Sequence, residues 1–299
     1  MIVKKYDAYI DGIYYKLSGD EATVTNCINL PDDISFNEES NAVYQHIIFP
    51  NYQGCYSGII VIPCLIIYNG KKYKVTSIDE RAFEYCSNLK SVSIPDSVIS
   101  IGVDAFSNCS SLLYNEYDGV RYLGNKENPF YALIEPKSKD IVKCTINTKC
   151  KVISNYAWGH SRLSSIIFPD GMKSIGAYAF YECIALTSVN IPDSVISIGD
   201  FSFSGCSGLT SAAISKGLLI IGAYAFYECK VLTSIIIPSG LTSIGDFAFS
   251  GCESLTSMEI SDSVSTIGNG VFSGCSSLTS LTIPNTVSYI GGGVFTDSI

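Results

Sequence analysis

Thiols and imidazoles are the groups in this chain best suited to chemistry, and there are twelve cysteines and two histidines. Thiols can cross-link as disulfides, hold zinc as thiolates, or attack as nucleophiles once ionised. Seven of the cysteines (Cys86, Cys109, Cys183, Cys206, Cys229, Cys252, Cys275) occupy one place in a recurring unit, and the last five are spaced 23 residues apart. If the units stack as strands do, roughly 4.8 Å apart, neighbouring thiols come within disulfide reach. Their Cβ vectors would then run parallel, which is poor disulfide geometry. Cysteine is also among the residues most often buried as a small hydrophobe. The expectation is a ladder of free, buried thiols. Cys27, Cys55, Cys64, Cys144 and Cys150 lie outside the ladder, and a Cys144–Cys150 bridge stays open. No Cys-x-x-Cys pair occurs, which argues against structural zinc. His46 and His160 stand in no metal or triad spacing and are expected to be ordinary loop residues. There is no G-x-S-x-G, no P-loop and no H-E-x-x-H, and the many serines have no base beside them. The residues point to no enzyme, no cofactor and no metal.

The element that must position these groups is the repeat itself. Phe180, Phe203, Phe226, Phe249, Phe272 and Phe295 are each 23 residues apart. A fixed period in this range is the mark of a solenoid. In the unit Leu186-Thr187-Ser188-Val189-Asn190-Ile191-Pro192, the apolar positions Leu186, Val189 and Ile191 recur in the later units. Their spacing gives a short strand with alternating faces. Pro192 cannot donate to a ladder and ends the strand, and Asp193-Ser194 supplies turn chemistry. Val195 and Ile198 point back inward. Gly199 relieves either a crowded or a positive-φ turn. Phe203 and Cys206, three apart, fit one face of a short helical turn. GAYAFYEC is identical at 176 and 222, 46 residues apart, so a two-repeat block is duplicated.

Composition bounds the partners. The chain is 47% hydrophobic and 16% charged, with a net charge of −9. From 175 to 299, two lysines (Lys216, Lys230) face nine carboxylates, which disfavours nucleic acid and anionic membranes. No apolar run approaches the roughly 18 to 20 residues that span a bilayer. The N-terminal MIVKKYDAYIDGIYYKL has no apolar signal core, so the chain is either intracellular or a mature segment behind a start Met.

Organisation follows the repeat. Residues 1–77 lack it and read as an N-terminal β-rich cap. Asp11-Gly12 and Asn69-Gly70 mark hairpin turns there, Ile59 to Pro63 a strand, and 31–45 a polar loop. Residues 78–299 read as about nine units of 23 residues. Within them, 113–150 fits the template poorly and reads as a β-hairpin insertion with the remains of one repeat near Ile141 to Ile146. Seven of the nineteen basic residues lie between Arg121 and Lys151, so this segment is either a contact module or a tolerated surface insertion.

These residues resemble the BspA-like class of leucine-rich repeats, the bacterial surface-antigen type. Its pattern, roughly C-x-x-L-x-x-I-x-I-P-x-x-V-x-x-I-G-x-x-A-F, is matched from Cys183 to Glu228 almost position by position. The departures are Ser215 and Ser261 for Pro, Ser202, Val271 and Val294 for Ala, and Trp158 for Phe. DGIYYKL, YSGIIVIP and NGKKYKVTSI resemble the family's cap. The resemblance implies a curved, right-handed solenoid with a parallel β-sheet and short helical or 3-10 turns. It implies a place on the cell surface or outside the cell, and adhesion to host surface or matrix proteins or to glycans. It brings no catalytic residue.

The candidate binding face is the outward strand column: Ser165, Ser188, Asn190, Ser211, Ser234, Ser257, Glu259, Ser280 and Thr282. Thr187, Thr210, Thr233, Thr256 and Thr279 accompany it. Ser and Thr also simply suit solvated strands. A scaffold whose repeats bind nothing and only display the cap or the insertion is the alternative. Asp96-Ser97-Val98, Asp193-Ser194-Val195 and Asp262-Ser263-Val264 resemble a bacterial O-glycosylation acceptor, and turn propensity accounts for them equally. Phe295 begins a unit without Cys, Leu or strand, so the expectation is a shortened chain or a rim covered end to end by a neighbour.

Overall fold

The computed structural model describes residues 7–25 and 56–298. Cys27, Cys55, His46 and the polar loop expected at 31–45 lie outside the described residues. The chain divides into two compact units, Met1–Tyr114 and Asn115–Ile299.

The first unit holds β1 (Ala8–Ile10), β2 (Ile13–Ser18), β3 (Glu21–Thr25), β4 (Gly58–Val61), β5 (Leu65–Tyr68), β6 (Lys71–Ile78), β7 (Leu89–Ser93) and β8 (Ser100–Ile101). Asp11 and Gly12 (φ 50° and 83°) join β1 to β2, and Asn69 and Gly70 (φ 50° and 76°) join β5 to β6. Two successive positive φ values give a turn whose twist matches that of the strands. Pairing then becomes parallel, β3 with β6, β6 with β8, and β4 with β7. That is where stacking of repeats begins.

The second unit opens with β9 (Asn115–Tyr117), β10 (Val120–Leu123), β11 (Ala132–Pro136) and β12 (Lys143–Thr145). β9, β10 and β11 form an antiparallel meander, with Asp118-Gly119 as its first turn. β11 then pairs in parallel with β13 (Val152–Ile153). Parallel two-residue strands continue that sheet: β15 (Ser174–Ile175), β17 (Ser197–Ile198), β19 (Ile220–Ile221), β21 (Ser243–Ile244), β23 (Thr266–Ile267) and β25 (Tyr289–Ile290). A second column of three-residue strands comprises β12, β14 (Ser165–Ile167), β16 (Ser188–Asn190), β18 (Ser211–Ala213), β20 (Ser234–Ile236), β22 (Ser257–Glu259) and β24 (Ser280–Thr282). Cys144 pairs with Ile166, so β12 is one turn of the array. Residues 113–150 supply Val120, Tyr122, Leu133, Cys144, Ile146 and Cys150 to the core.

Between the strand columns the backbone forms a third ladder. Amides of Tyr178, Phe180 and Glu182 donate to the carbonyls of Asp200, Ser202 and Ser204 of the next repeat, at 2.9, 2.7 and 2.8 Å. The intervening amides of Tyr181 and Cys183 donate locally, three residues back. The spacing of Phe203 and Cys206 fits a helical or 3-10 turn here, and no helix occurs among the described residues. The reason is the backbone: Tyr178 and Glu182 (φ 55° and 52°), and Phe201 and Gly205 (55° and 71°), are left-handed, which interrupts any helical run. Phe203 and Cys206 still share a face, and both are buried.

The core rings stack along the axis. Successive centroids from Phe180 to Phe226 lie 5.0 and 5.4 Å apart with planes within 8°. Burying each ring is worth roughly 1.5–3 kcal/mol, which a lone repeat could not exploit. Gly199 answers to crowding, since a Cβ there would sit 2.5 Å from the Ala177 nitrogen of the preceding repeat. In the last repeat Ser298 takes the cysteine place and donates to the Phe272 carbonyl, as the thiols do. Tyr289, Ile290 and Phe295 are exposed there.

Candidate functional site

Each outward strand from β12 to β22 places its first and third residues in solvent and buries the middle one, and in β24 the middle Leu281 is half-buried. Ser188 and Asn190 flank buried Val189, Ser211 and Ala213 flank Ala212, and Ser257 and Glu259 flank Met258. All nine predicted face residues are exposed. Pairing puts Ser188, Ser211 and Ser234 in one column and Asn190, Ala213 and Ile236 in another. Ser257 and Glu259 pair with Ser280 and Thr282 in the same way, and Lys143 pairs with Ser165. The same outward column holds Ile236, 78% exposed, at the position its alternation expects, and Ile167, 60% exposed, which strict alternation along its strand also places outward.

The threonines behave differently from the serines. Thr210 Oγ1 donates to the Thr187 carbonyl at 3.0 Å, Thr233 to Thr210 at 3.2 Å, and Thr279 to Thr256 at 3.2 Å. These hydroxyls knit one repeat to the preceding one. The Ser188, Ser211 and Ser234 hydroxyls face water.

Beside this face lies a concavity of about 500 Å³ lined by Ile235, Ile236, Ile237, Ser239, Glu259, Ile260, Ser261, Asp262 and Ser263. Ser263 Oγ donates to the Leu241 carbonyl at 2.6 Å and meets Ser261 Oγ at 3.0 Å, so its wall is fixed. Of the three Asp-Ser-Val turns, only Ser194 is exposed. Ser97 Oγ is buried without a partner among the described residues.

The thiol ladder is sealed. Sγ of Cys206, Cys229, Cys252 and Cys275 each lies 3.1 to 3.3 Å from the carbonyl of a phenylalanine one repeat back. Cys144 and Cys150 are free as well. Burial pushes the Cys86 and Cys275 thiols up to about 11, and Cys109, Cys144 and Cys150 up to about 12. Cys206, Cys229 and Cys252 are raised well above the ordinary value by the same desolvation. Nucleophilic thiol chemistry needs the opposite shift. His160 belongs to the turn ladder, at φ 55°, and its Nδ1 lies 2.9 Å from a Glu182 carboxylate oxygen. No helix among the described residues is long and apolar enough to cross a membrane.

Stacked parallel strands with Leu, Ile, Val and Phe columns inward define a leucine-rich repeat β-solenoid. A leucine-rich repeat protein from Eubacterium ventriosum has this fold, at a TM-score of 0.57 and 24% identity over 81% of this chain and 59% of the other. This chain thus spans less than two thirds of that protein. Two further bacterial leucine-rich repeat structures align at lower TM-scores. The T. pallidum protein has 0.38 at 23% identity (89% and 87% coverage), and one from Bacteroides ovatus has 0.34 at 24% (98% and 93%). No curated protein matches the sequence. The chain belongs to the BspA type leucine-rich repeat family, which matches it in six copies over residues 64–127, 136–222 and 208–299.

Proposed function

We propose that this chain is a non-enzymatic binding protein of a bacterial cell surface or its surroundings, and that the outward strand face contacts a host protein or glycan. One observation carries the reading. From β14 to β24 the strand face presents solvent-exposed side chains in every repeat, whereas the neighbouring threonine hydroxyls are used between repeats. Side chains held on paired parallel strands present contacts at low ordering cost. The surface location follows the surface-antigen type that the family represents. The raised thiol pKa values and the pairing of His160 with Glu182 speak for structural rather than catalytic roles.

The test is binding to immobilised matrix proteins and to a glycan array, using Ser211→Arg with Ser234→Arg. Loss of binding with an unchanged unfolding midpoint supports the strand face. Survival of binding there, together with its loss on Lys126→Glu with Lys149→Glu, would favour the display-scaffold alternative. Deleting 113–150 is no substitute, because that segment contributes core side chains.

A further inference from the structure

Between Ile175 and Ser298 there are nine carboxylates, and six of them have a partner. Glu182 meets His160, Asp193 meets Lys216, and Glu228 and Glu253 share Lys230. Asp200 and Asp246 accept from the amides of Ala223 and Asn269. Glu259, Asp262 and Asp297 remain. Two of these three line the concavity of about 500 Å³ on the strand face. The same concavity holds Ile236, which at 78% has the highest exposure of any large apolar residue described. Glu259 occupies the strand position of Ile236 one 23-residue repeat later.

An aliphatic surface beside two carboxylates without an internal cation suits one kind of side chain. Lysine and arginine lay their methylene stems on apolar surface and carry the charge beyond it. Arginine fits better, since its planar fork meets carboxylates bidentately and is more weakly hydrated. We infer that this concavity receives an arginine side chain from an extended segment of a protein partner. The inference rests on the strand-face reading and adds to it the chemistry of the contact. The acidic balance of the array would steer such a segment in.

The probe is a fluorescein-labelled tri-arginine amide, titrated by anisotropy at physiological ionic strength, with tri-lysine and tri-glutamate amides alongside. The expected order is tri-arginine tightest, tri-lysine weaker and tri-glutamate unbound. Glu259→Gln with Asp262→Asn should weaken tri-arginine by roughly three- to tenfold, as two exposed ion pairs would. Ile236→Ser should weaken it severalfold at unchanged net charge. Asp170→Asn with Asp297→Asn removes the same charge elsewhere and should leave it unchanged. Equal weakening by that control pair, no effect of Ile236→Ser, or no binding of tri-arginine would each overturn the inference. The Ser211→Arg/Ser234→Arg experiment is independent of all three results, so the strand-face reading stands or falls on its own.

Discussion

Residues 201–206 and residues 210–213 lie a few positions apart in one repeat and obey different rules. In the turn segment, Phe203 is sandwiched between identical rings at 5.0 and 5.4 Å, and its amide donates to the next repeat. On the strand face, Ser211 meets its copies only through the backbone, and the third strand position runs Asn190, Ala213, Ile236, Glu259, Thr282. Contact with a copy of itself restricts a residue to what fits that copy. Exposure lifts the restriction. Individuality is therefore found at exposed or half-buried positions, the outward third strand position among them and the turn column Ile184, Ser207, Lys230, Glu253 and Ser276 another.

The contrast can be broken most severely inside. Phe226→Ala should destabilise the protein by about 3–5 kcal/mol in urea unfolding, since the stacked column cannot close over the gap. A loss below about 1 kcal/mol would mean that the repeats relax independently. Gly245→Ala should cost about 2 kcal/mol, because the new Cβ would lie 2.6 Å from the Ala223 nitrogen, a backbone atom whose amide is held by the Asp200 carboxylate.

High pH tests the sealed thiols. Their folded values, about 11 to 12 for Cys275 and Cys109, exceed the ordinary 9.0. Below pH 9 both states keep these protons and stability is complete. Between about pH 9 and 12 the unfolded chain releases protons that the folded chain retains, so stability falls as pH rises, by up to about 1.4 kcal/mol per thiol per pH unit. Mass-spectrometric mapping after alkylation at pH 8 should find exposed Cys64 modified and the ladder from Cys183 to Cys275 untouched.

The outer face should respond least. Thr210→Val removes the 3.0 Å bond to the Thr187 carbonyl and should cost about 0.5–1 kcal/mol. Ser211→Ala should stay within about 0.5 kcal/mol. A serine substitution as damaging as the threonine one would show that the two columns are not distinct.

The two-repeat duplication has a physical counterpart. Glu182 and Glu228 alternate with Gly205 and Gly251, and a Cβ at Gly205 would meet the Glu182 Cγ at 2.8 Å. From 182 to 251 each glutamate side chain thus lies over the glycine of the next repeat, where a Cβ would crowd it. The block was legible as GAYAFYEC at 176 and 222, but its cause was not, because the covering occurs between residues 23 apart.

Periodicity alone determined the solenoid, the inward Phe and Cys columns and the exposed Ser column, because a side chain's direction follows from strand alternation and from the spacing of repeats. Hairpin turns at Asp11-Gly12 and Asn69-Gly70 were equally plain, since those residue pairs favour positive φ. Tertiary structure decided the rest. The turn segment became a ribbon of alternating local and inter-repeat hydrogen bonds instead of a helix, because the carbonyls of the neighbouring repeat lie in reach. The remnant repeat near Ile141 to Ile146 was legible, but Val120, Tyr122 and Leu133 of the hairpin also entered the core, which their irregular sequence did not disclose. The 23-residue period already sets Ile236 beside Glu259, but that Asp262, from the following turn, joins them around one concavity shows only in the folded chain.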